Sequence, residues 1–153
     1  MPQCVSSQFG IVDYAEEAAL EFPFGLLAFE EHTRFVVLEP KATAPVTYLQ
    51  SLTHPELCFI TLPVLAIEPG YRLRMSAEDL RALGLPEDHQ PELNRDVVCL
   101  SIVTIPADKR PTANLMAPVV IHRGTRRALQ AIQMDSGYSH QHSLAPPQEA
   151  PCS

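Results

Sequence analysis

Between Val97 and His122 the chain reads VVCLSIVTIPADKRPTANLMAPVVIH, and no other stretch restricts the fold as much. Val97 to Ile105 is nine residues with only Ser101 and Thr104 polar, it is rich in β-branched types, and it stops at Pro106. Such a run predicts a strand buried on both faces, because a solvated face would show polar residues at alternate positions. The polar stretch from Pro106 to Pro111 can neither pack a core nor continue a ladder, and apolar character resumes around Asn114 and runs through Val119, Val120 and Ile121. A long hairpin-like pair is expected, with a flexible or functional loop between its arms. Pro118 lies inside the second arm, where a missing N–H is tolerated only at an edge or a bulge. That arm is therefore expected at a sheet edge or a kink.

A chain of 153 residues predicts one domain, burying roughly 70% of the surface of its extended form. With 19% charged and 46% hydrophobic residues the composition is that of a globular protein, and no apolar run approaches the length that crosses a membrane. The opening MPQCVSSQFG has neither a basic nor an apolar signal region, which points to the cytoplasm. Cysteines at positions 4, 58, 99 and 152 form no C-x-x-C pair, so neither a zinc site nor a disulfide framework is expected. Cys58 and Cys99 sit in apolar runs and should pack as small hydrophobes.

The net charge of −7 disfavours direct contact with nucleic acid, whose phosphates demand a basic footprint. Its distribution is uneven. Through Thr33 there are six acids (Asp13, Glu16, Glu17, Glu21, Glu30, Glu31) and no Lys or Arg, whereas Ile105 to Arg127 carries five basic residues against Asp108 alone. Surface carboxylates keep most proteins soluble, and they also suit docking of a basic partner; the sequence leaves both open.

In chain order, Val5 to Val12 reads as a weak strand broken by Gly10 and anchored by Phe9, Ile11 and Val12. Asp13 to Glu21 favours a helical turn by propensity. Phe22-Pro23-Phe24-Gly25 is a turn followed by apolar Leu26, Leu27 and Phe29, and Phe35 to Leu38 is a compact strand ended by Pro40. Val46 to about Ser51 and Leu57 to Leu62, joined by a short loop, should pair antiparallel. Tyr71 to Met75 alternates apolar residues with Arg72 and Arg74 and reads as a half-buried strand. Ser76 as N-cap, Asp79 three residues on, Leu80 and Leu83 on one face, and Gly84 then Pro86 mark a short helix. Arg126 to Met134 has helix-favouring residue types. From Leu144 the chain reads LAPPQEAPCS, proline-rich and without apolar periodicity, and is expected to be a disordered tail.

No G-x-S-x-G surrounds Ser101, no glycine-rich phosphate loop is present, and there is no H-E-x-x-H. His140 and His142 have ligand-like spacing but no nearby third ligand, so solvent-exposed histidines are the plainer reading. Arg123, Arg126 and Arg127 surround Gly124 and Thr125 without interleaved aromatic residues, which favours a solvated turn over a nucleic-acid patch. Leu49-Gln50-Ser51 and Asn114-Leu115 are more often structural than contact-making, since a buried Asn or Gln must be hydrogen-bonded.

IVTIP followed by TANLMAPVVI resembles the flagellar assembly factor FliW family. FPFGLLAFEEHTRF, YLQSLTHPELCFI and YSHQH agree in the same order, so the resemblance spans Phe9 to about Leu144. Ala28 stands where the family usually has glycine, Leu62 where an aspartate precedes the proline, His122 where asparagine is common, and Gln141 where arginine is common. The resemblance implies a loop and short strand within Asp13 to Glu21 and a strand over Arg126 to Met134, which in a mostly β domain overrides propensity. It thus implies a FliW-like β domain over residues 3–143 ahead of a tail at 144–153. The expected architecture is a mostly β single domain of about eight to ten short antiparallel strands, forming a bent barrel-like sheet or two half-barrels, with one short helix.

What the resemblance implies for function is a regulatory binding protein rather than an enzyme, with no cofactor, no metal, no direct nucleic-acid contact and no membrane. Its partners would be the translational regulator CsrA, whose repression of flagellin synthesis it relieves, and flagellin itself. Candidate partner-binding residues are Asp13, Glu16, Glu17, Glu30, Glu31, Leu49, Gln50, Asn114, Leu115, Pro118 and Tyr138. The alternatives are a flagellin-specific chaperone without CsrA antagonism, and a small-ligand-binding β-barrel using its mouth.

Overall fold

The first two strands, β1 (Gln3–Ser6) and β2 (Gly10–Asp13), make an antiparallel hairpin apart from the main sheet. The computed structural model describes residues 1–134 and 136–144. The single strand expected over Val5 to Val12 is therefore two, and its anchors differ from those expected. Ile11 is 71% exposed, while Cys4 and Ser6 are buried. The return into β2 needs the left-handed φ of +77° at Gly10, which glycine adopts without strain.

A 3-10 turn at Glu16–Ala18 and strand β3 (Leu20–Glu21) follow, so the helical turn read from propensity and the short strand implied by the resemblance each have a share. Next come β4 (Arg34–Leu38), β5 (Thr47–Ser51) and β6 (Cys58–Pro63), then β7 (Val98–Thr104), β8 (Thr112–Ala113), β9 (Val119–His122), β10 (Arg127–Gln130) and β11 (His142–Ser143). Neighbours run β7, β6, β5, β4, β3, β10, β9, and β9 pairs again with β7, so seven of these strands close into a barrel. Every pairing in it is antiparallel except β3 with β10, where Glu21 lies parallel to Arg127. β8 and β11 extend the far end of β7 as a short flap.

The central strand is buried on both faces for two separate reasons. Leu100, with Val98 and Ile102 beside it, packs inside the barrel against Phe22, Phe35, Leu49 and Val119. Val97 and Cys99 point outward beneath a second cluster with Val64, Tyr71, Leu73, Leu80 and Leu83. That outer layer is carried by one turn, α1 (Val64–Ile67), and by helix α2 (Ala77–Leu83). Ser76 caps α2 by accepting the Asp79 N–H at 3.1 Å, and Gly84 ends it in the left-handed region.

The second arm of the hairpin is split. β8 and β9 lie along the same edge of β7, with Ala113 opposite Val103 and Val119 opposite Leu100. Between them the chain kinks from Asn114 to Pro118. Asn114 Oδ1 accepts the N–H groups of Met116 (3.1 Å) and Ala117 (3.0 Å), and Ser101 Oγ donates to the Asn114 carbonyl (2.9 Å). Pro118 falls at this kink, where its missing N–H is tolerated. The kink is as expected and the sheet edge is not, because β9 is paired on both sides by β7 and β10.

Tyr71 to Met75 keeps its alternation, with Tyr71, Leu73 and Met75 buried and Arg72 and Arg74 exposed, but it joins no ladder. Side chains take the place of a neighbouring strand. Gln133 accepts the Arg74 N–H at 2.8 Å and donates to the Arg74 carbonyl at 2.9 Å. Gln90 does the same for Met75 at 2.7 and 3.1 Å, and Tyr138 Oη accepts the Arg72 N–H at 2.8 Å. A primary amide carries both a donor and an acceptor, so it satisfies a backbone residue as a strand would.

The strand expected over Arg126 to Met134 is confined to Arg127–Gln130. Beyond it, Ala131 N–H donates to Pro118 and Gln133 N–H to Met116, following the kinked arm. Of the proline-rich tail only Leu144 is described, bonded through its N–H to the Pro111 carbonyl at 3.0 Å; positions 145–153 lie outside the described residues. Among the described residues no helix is long and apolar enough to cross a membrane.

Candidate partner-docking face

Gly25 sets up the face. Its φ is +66°, and a Cβ there would collide with the Glu30 backbone, so the turn after Phe22 closes only around glycine. Phe22 and Leu26 turn inward and are buried, which forces the following residues outward. Leu26 and Phe29 exchange backbone hydrogen bonds (2.7 and 3.3 Å), leaving Leu27 and Ala28 as a two-residue tip. Leu27 N–H donates to Gln130 Oε1 at 2.7 Å, and Gln130 Nε2 donates to the Ala117 carbonyl at 3.0 Å.

Across from this tip stand Ile102 and Thr104 of β7 and the loop after Pro106. Between them is a cleft of about 610 Å³ whose apolar floor is Leu26, Phe29, Phe59 and Ile102. Phe29 meets Phe59 edge to face at 5.4 Å. Of the cleft lining, Leu27 and Phe29 are 50% and 37% exposed, and Phe24 and Ile105, next to lining segments in the chain, are 51% and 60% exposed. Exposed aromatic and aliphatic side chains beside a cleft make it a candidate protein-binding surface. Asp108 and Lys109 stand on the loop side, and the exposed Glu30 and Glu31 follow Phe29 on the turn side.

The barrel lumen behind this mouth is filled. Phe22, Phe35, Leu49, Val119 and Ala128 are all at 0% exposure. Among the described residues no group of three or more His, Cys, Asp or Glu is placed to hold a metal. His140 lines the cleft, and His142 lies in β11 opposite Ala113.

Residues 3–144 match the FliW protein family. The chain belongs to the FliW family. The flagellar assembly factor FliW of Syntrophomonas wolfei is 32% identical over 147 residues, covering 95% of this chain and 90% of its own. That of Syntrophotalea carbinolica is 31% identical over 144 residues, covering 94% and 99%. A crystal structure of the flagellar assembly factor FliW superposes with a TM-score of 0.82 at 28% identity, covering 95% of this chain and 98% of that one.

On this FliW scaffold the candidate residues separate into three places. Leu49, Gln50, Leu115 and Pro118 are buried in the wall and offer a partner no open surface. Gln50 Nε2 donates to the Ser51 and Pro55 carbonyls (3.0 and 3.2 Å) and holds the β5–β6 loop; Asn114 shapes the kink. Tyr138 is half-buried, stacked on Tyr71 at 4.3 Å. Asp13, Glu16, Glu17, Glu30 and Glu31 are exposed, but only Glu30 and Glu31 adjoin the cleft tip, whereas Glu17 rims the opposite mouth of the barrel.

The uneven charge of the sequence is also partly folded together. Arg126 Nη1 donates to the Glu16 carbonyl at 3.2 Å, and Arg127 sits beside Glu21. Leu27, Phe59, Ile102 and Gln130 escaped the sequence reading. The apolar Leu26, Leu27 and Phe29 straight after a turn were a visible signal, since a two-residue tip cannot bury all three. The Gln130 contact has no local signal.

Of the FliW departures, Ala28 carries backbone strain and the other three are accommodated. Ala28 occupies φ +72°, which explains the usual glycine. His122 Nδ1 donates to the Leu83 carbonyl at the end of α2 (2.8 Å), a bond an asparagine amide also makes. Leu62 is half-buried opposite Ser101, and Gln141 is exposed at the cleft.

Proposed function

We propose that this chain is a flagellar assembly factor that binds and antagonises a CsrA-type translational regulator, relieving its repression of flagellin synthesis, and that it binds flagellin in a partner switch. FliW family membership supports the class. The observation that carries the reading is the open apolar cleft between the Leu26–Phe29 turn and the loop after Pro106. A cleft of this kind accepts an apolar segment of a partner chain, and its side chains stay exposed until one arrives.

Use of this one face by both partners favours competition. If both partners use it, flagellin weakens CsrA binding by the same factor by which CsrA weakens flagellin binding. The chain then reports unexported flagellin by releasing the regulator. The test is a gel-filtration titration of the preformed complex with CsrA by excess flagellin. Displacement of CsrA is expected, and a stable three-protein peak at unchanged affinity overturns the switch.

A further inference from the structure

The opposite mouth of the barrel, at the start of β7, is built from different chemistry. Its floor is Leu20, Leu100 and Ile121, all buried, with half-buried Val37 and Val98 beside them. They bound a pocket of about 360 Å³. That is the small end of the range of small-molecule sites, and it admits one compact ligand.

Four charged side chains stand on the rim. Glu17 comes from the turn before β3 and Glu39 from just past β4, whereas Arg123 and Arg126 come from the β9–β10 turn. The ion pairs among the described residues join Arg81 to Glu87, His89 to Asp88 and Arg95 to Glu92, so no rim carboxylate is in direct contact with a rim guanidinium. All four rim side chains are solvent-exposed, so they stand at the edge of the apolar floor and not within it.

Arg126 adds a second observation. It sits at φ +59°, a conformation that side-chain-bearing residues rarely adopt, although Gly124 is available two residues earlier in the same turn. Its N–H bonds Arg123 and its carbonyl accepts the Glu21 N–H at 2.8 Å, which fixes the strained residue against the rim. Strained side-chain-bearing residues collect at binding sites.

We propose that this pocket binds a small zwitterion with an apolar body, an amino acid of the leucine, methionine or phenylalanine kind. The apolar side chain covers Leu20, Val98, Leu100 and Ile121, the ammonium faces Glu17 and Glu39, and the carboxylate faces Arg123 and Arg126. A carboxylate alone leaves the two glutamates without a counter-charge, and an amine alone leaves the two arginines without one. The site is independent of the docking cleft, which opens at the other end of β7.

The experiment is a methyl-NMR titration of the full chain with L-leucine, run beside 4-methylpentanoate, 3-methylbutylamine and glycine. Saturable shifts of the Leu20, Val37, Val98, Leu100 and Ile121 methyls are expected with L-leucine, and binding about tenfold weaker or worse with each truncated analogue. Arg123→Ala and Glu39→Ala, whose side chains hold nothing else in the described structure, are expected to weaken leucine binding about tenfold with the melting temperature unchanged. No saturable shift at about 10 mM L-leucine overturns the site. Equal binding of 4-methylpentanoate or 3-methylbutylamine overturns the zwitterion, as do shifts confined to Leu27 and Ile102.

Discussion

The Leu27 N–H donates to Gln130 Oε1 across 2.7 Å, fastening the tip of the docking turn to a barrel strand 103 positions away. The same amide donates to the Ala117 carbonyl at 3.0 Å, so Gln130 also ties the kinked arm to β10. Gln130→Ala is expected to cost about 1 kcal/mol of stability in urea unfolding, since the exposed Leu27 N–H recovers water while the part-buried Ala117 carbonyl does not. Gln130→Glu keeps the acceptor for Leu27 and loses the donor. It should hold partner affinity better than Gln130→Ala at similar stability; equal affinity losses would show that the tip is not held by this bond.

Ala28 is the residue most clearly out of place. It is exposed at φ +72°, where a Cβ crowds the backbone. Ala28→Gly removes that crowding, costing about 1 kcal/mol or more, and gives back part of the gain as unfolded-state entropy of about 0.5–1 kcal/mol. A net stabilisation of up to about 1 kcal/mol is expected, seen as a higher urea midpoint at unchanged slope. A lower midpoint would contradict the assignment of strain to this position.

Local chemistry made much of the fold legible. Ser76, Asp79 and Gly84 carry the start and stop of α2 within nine residues, and the β-branched run from Val97 marks the central strand. Tyr71 to Met75 shows the limit: its alternation reports burial correctly, but which groups satisfy its backbone depends on Gln90, Gln133 and Tyr138, far along the chain. The docking face shows it again, because a turn of Leu and Phe residues becomes a surface only when Phe59, Ile102 and Gln130 are brought beneath it. Gln50 was readable as structural from its burial: its Nε2 donates to the Ser51 and Pro55 carbonyls, while its Oε1 has no hydrogen-bond partner among the described residues.

Asn114 and Pro118 shape the kink rather than a contact surface. Asn114→Ala leaves the Met116 and Ala117 N–H groups without their acceptor and is expected to cost about 1–3 kcal/mol. Asn114→Asp keeps that acceptor and should recover much of the loss. Pro118→Ala frees the backbone of the unfolded chain and is expected to destabilise as well. Partner affinity measured well below the melting temperature should change little; lost binding with an intact fold would turn the kink into a binding motif.

Alkaline pH should loosen the outer layer. Burial pushes the Cys99 thiol from 9.0 up to about 12, and burial followed by the nearby Cys99 and Tyr138 raises the Tyr71 phenol, whose O–H donates to the Leu115 carbonyl at 2.6 Å. Both folded-state values lie above the unfolded ones, so the folded chain keeps protons that the unfolded chain releases. The stability they contribute is complete below pH 9.0 and is lost as pH rises towards about 12 for Cys99. Cys99→Ala is expected to be less stable at neutral pH from the lost packing, and to fall less steeply in the alkaline range. Parallel stability curves for the two proteins would remove Cys99 as the cause.

The acidic side chains should act on the rate of partner encounter, and unequally. Glu30 and Glu31 follow the docking turn, whereas Glu16 and Glu21 lie beside the basic β9–β10 turn, which offsets their field. A CsrA-type regulator, the proposed partner, must be basic where it holds RNA, so on that proposal carboxylates next to the cleft would steer it in. Glu30→Gln with Glu31→Gln is expected to lower the association rate several-fold at low salt and to flatten its salt dependence, with the dissociation rate less changed. Glu16→Gln with Glu17→Gln should have a smaller effect on the same measurement, because those acids sit at the other end of the barrel beside Arg126. Stopped-flow association at two ionic strengths decides it: a rate indifferent to salt and to both pairs of substitutions would reduce these acids to solubilising charge.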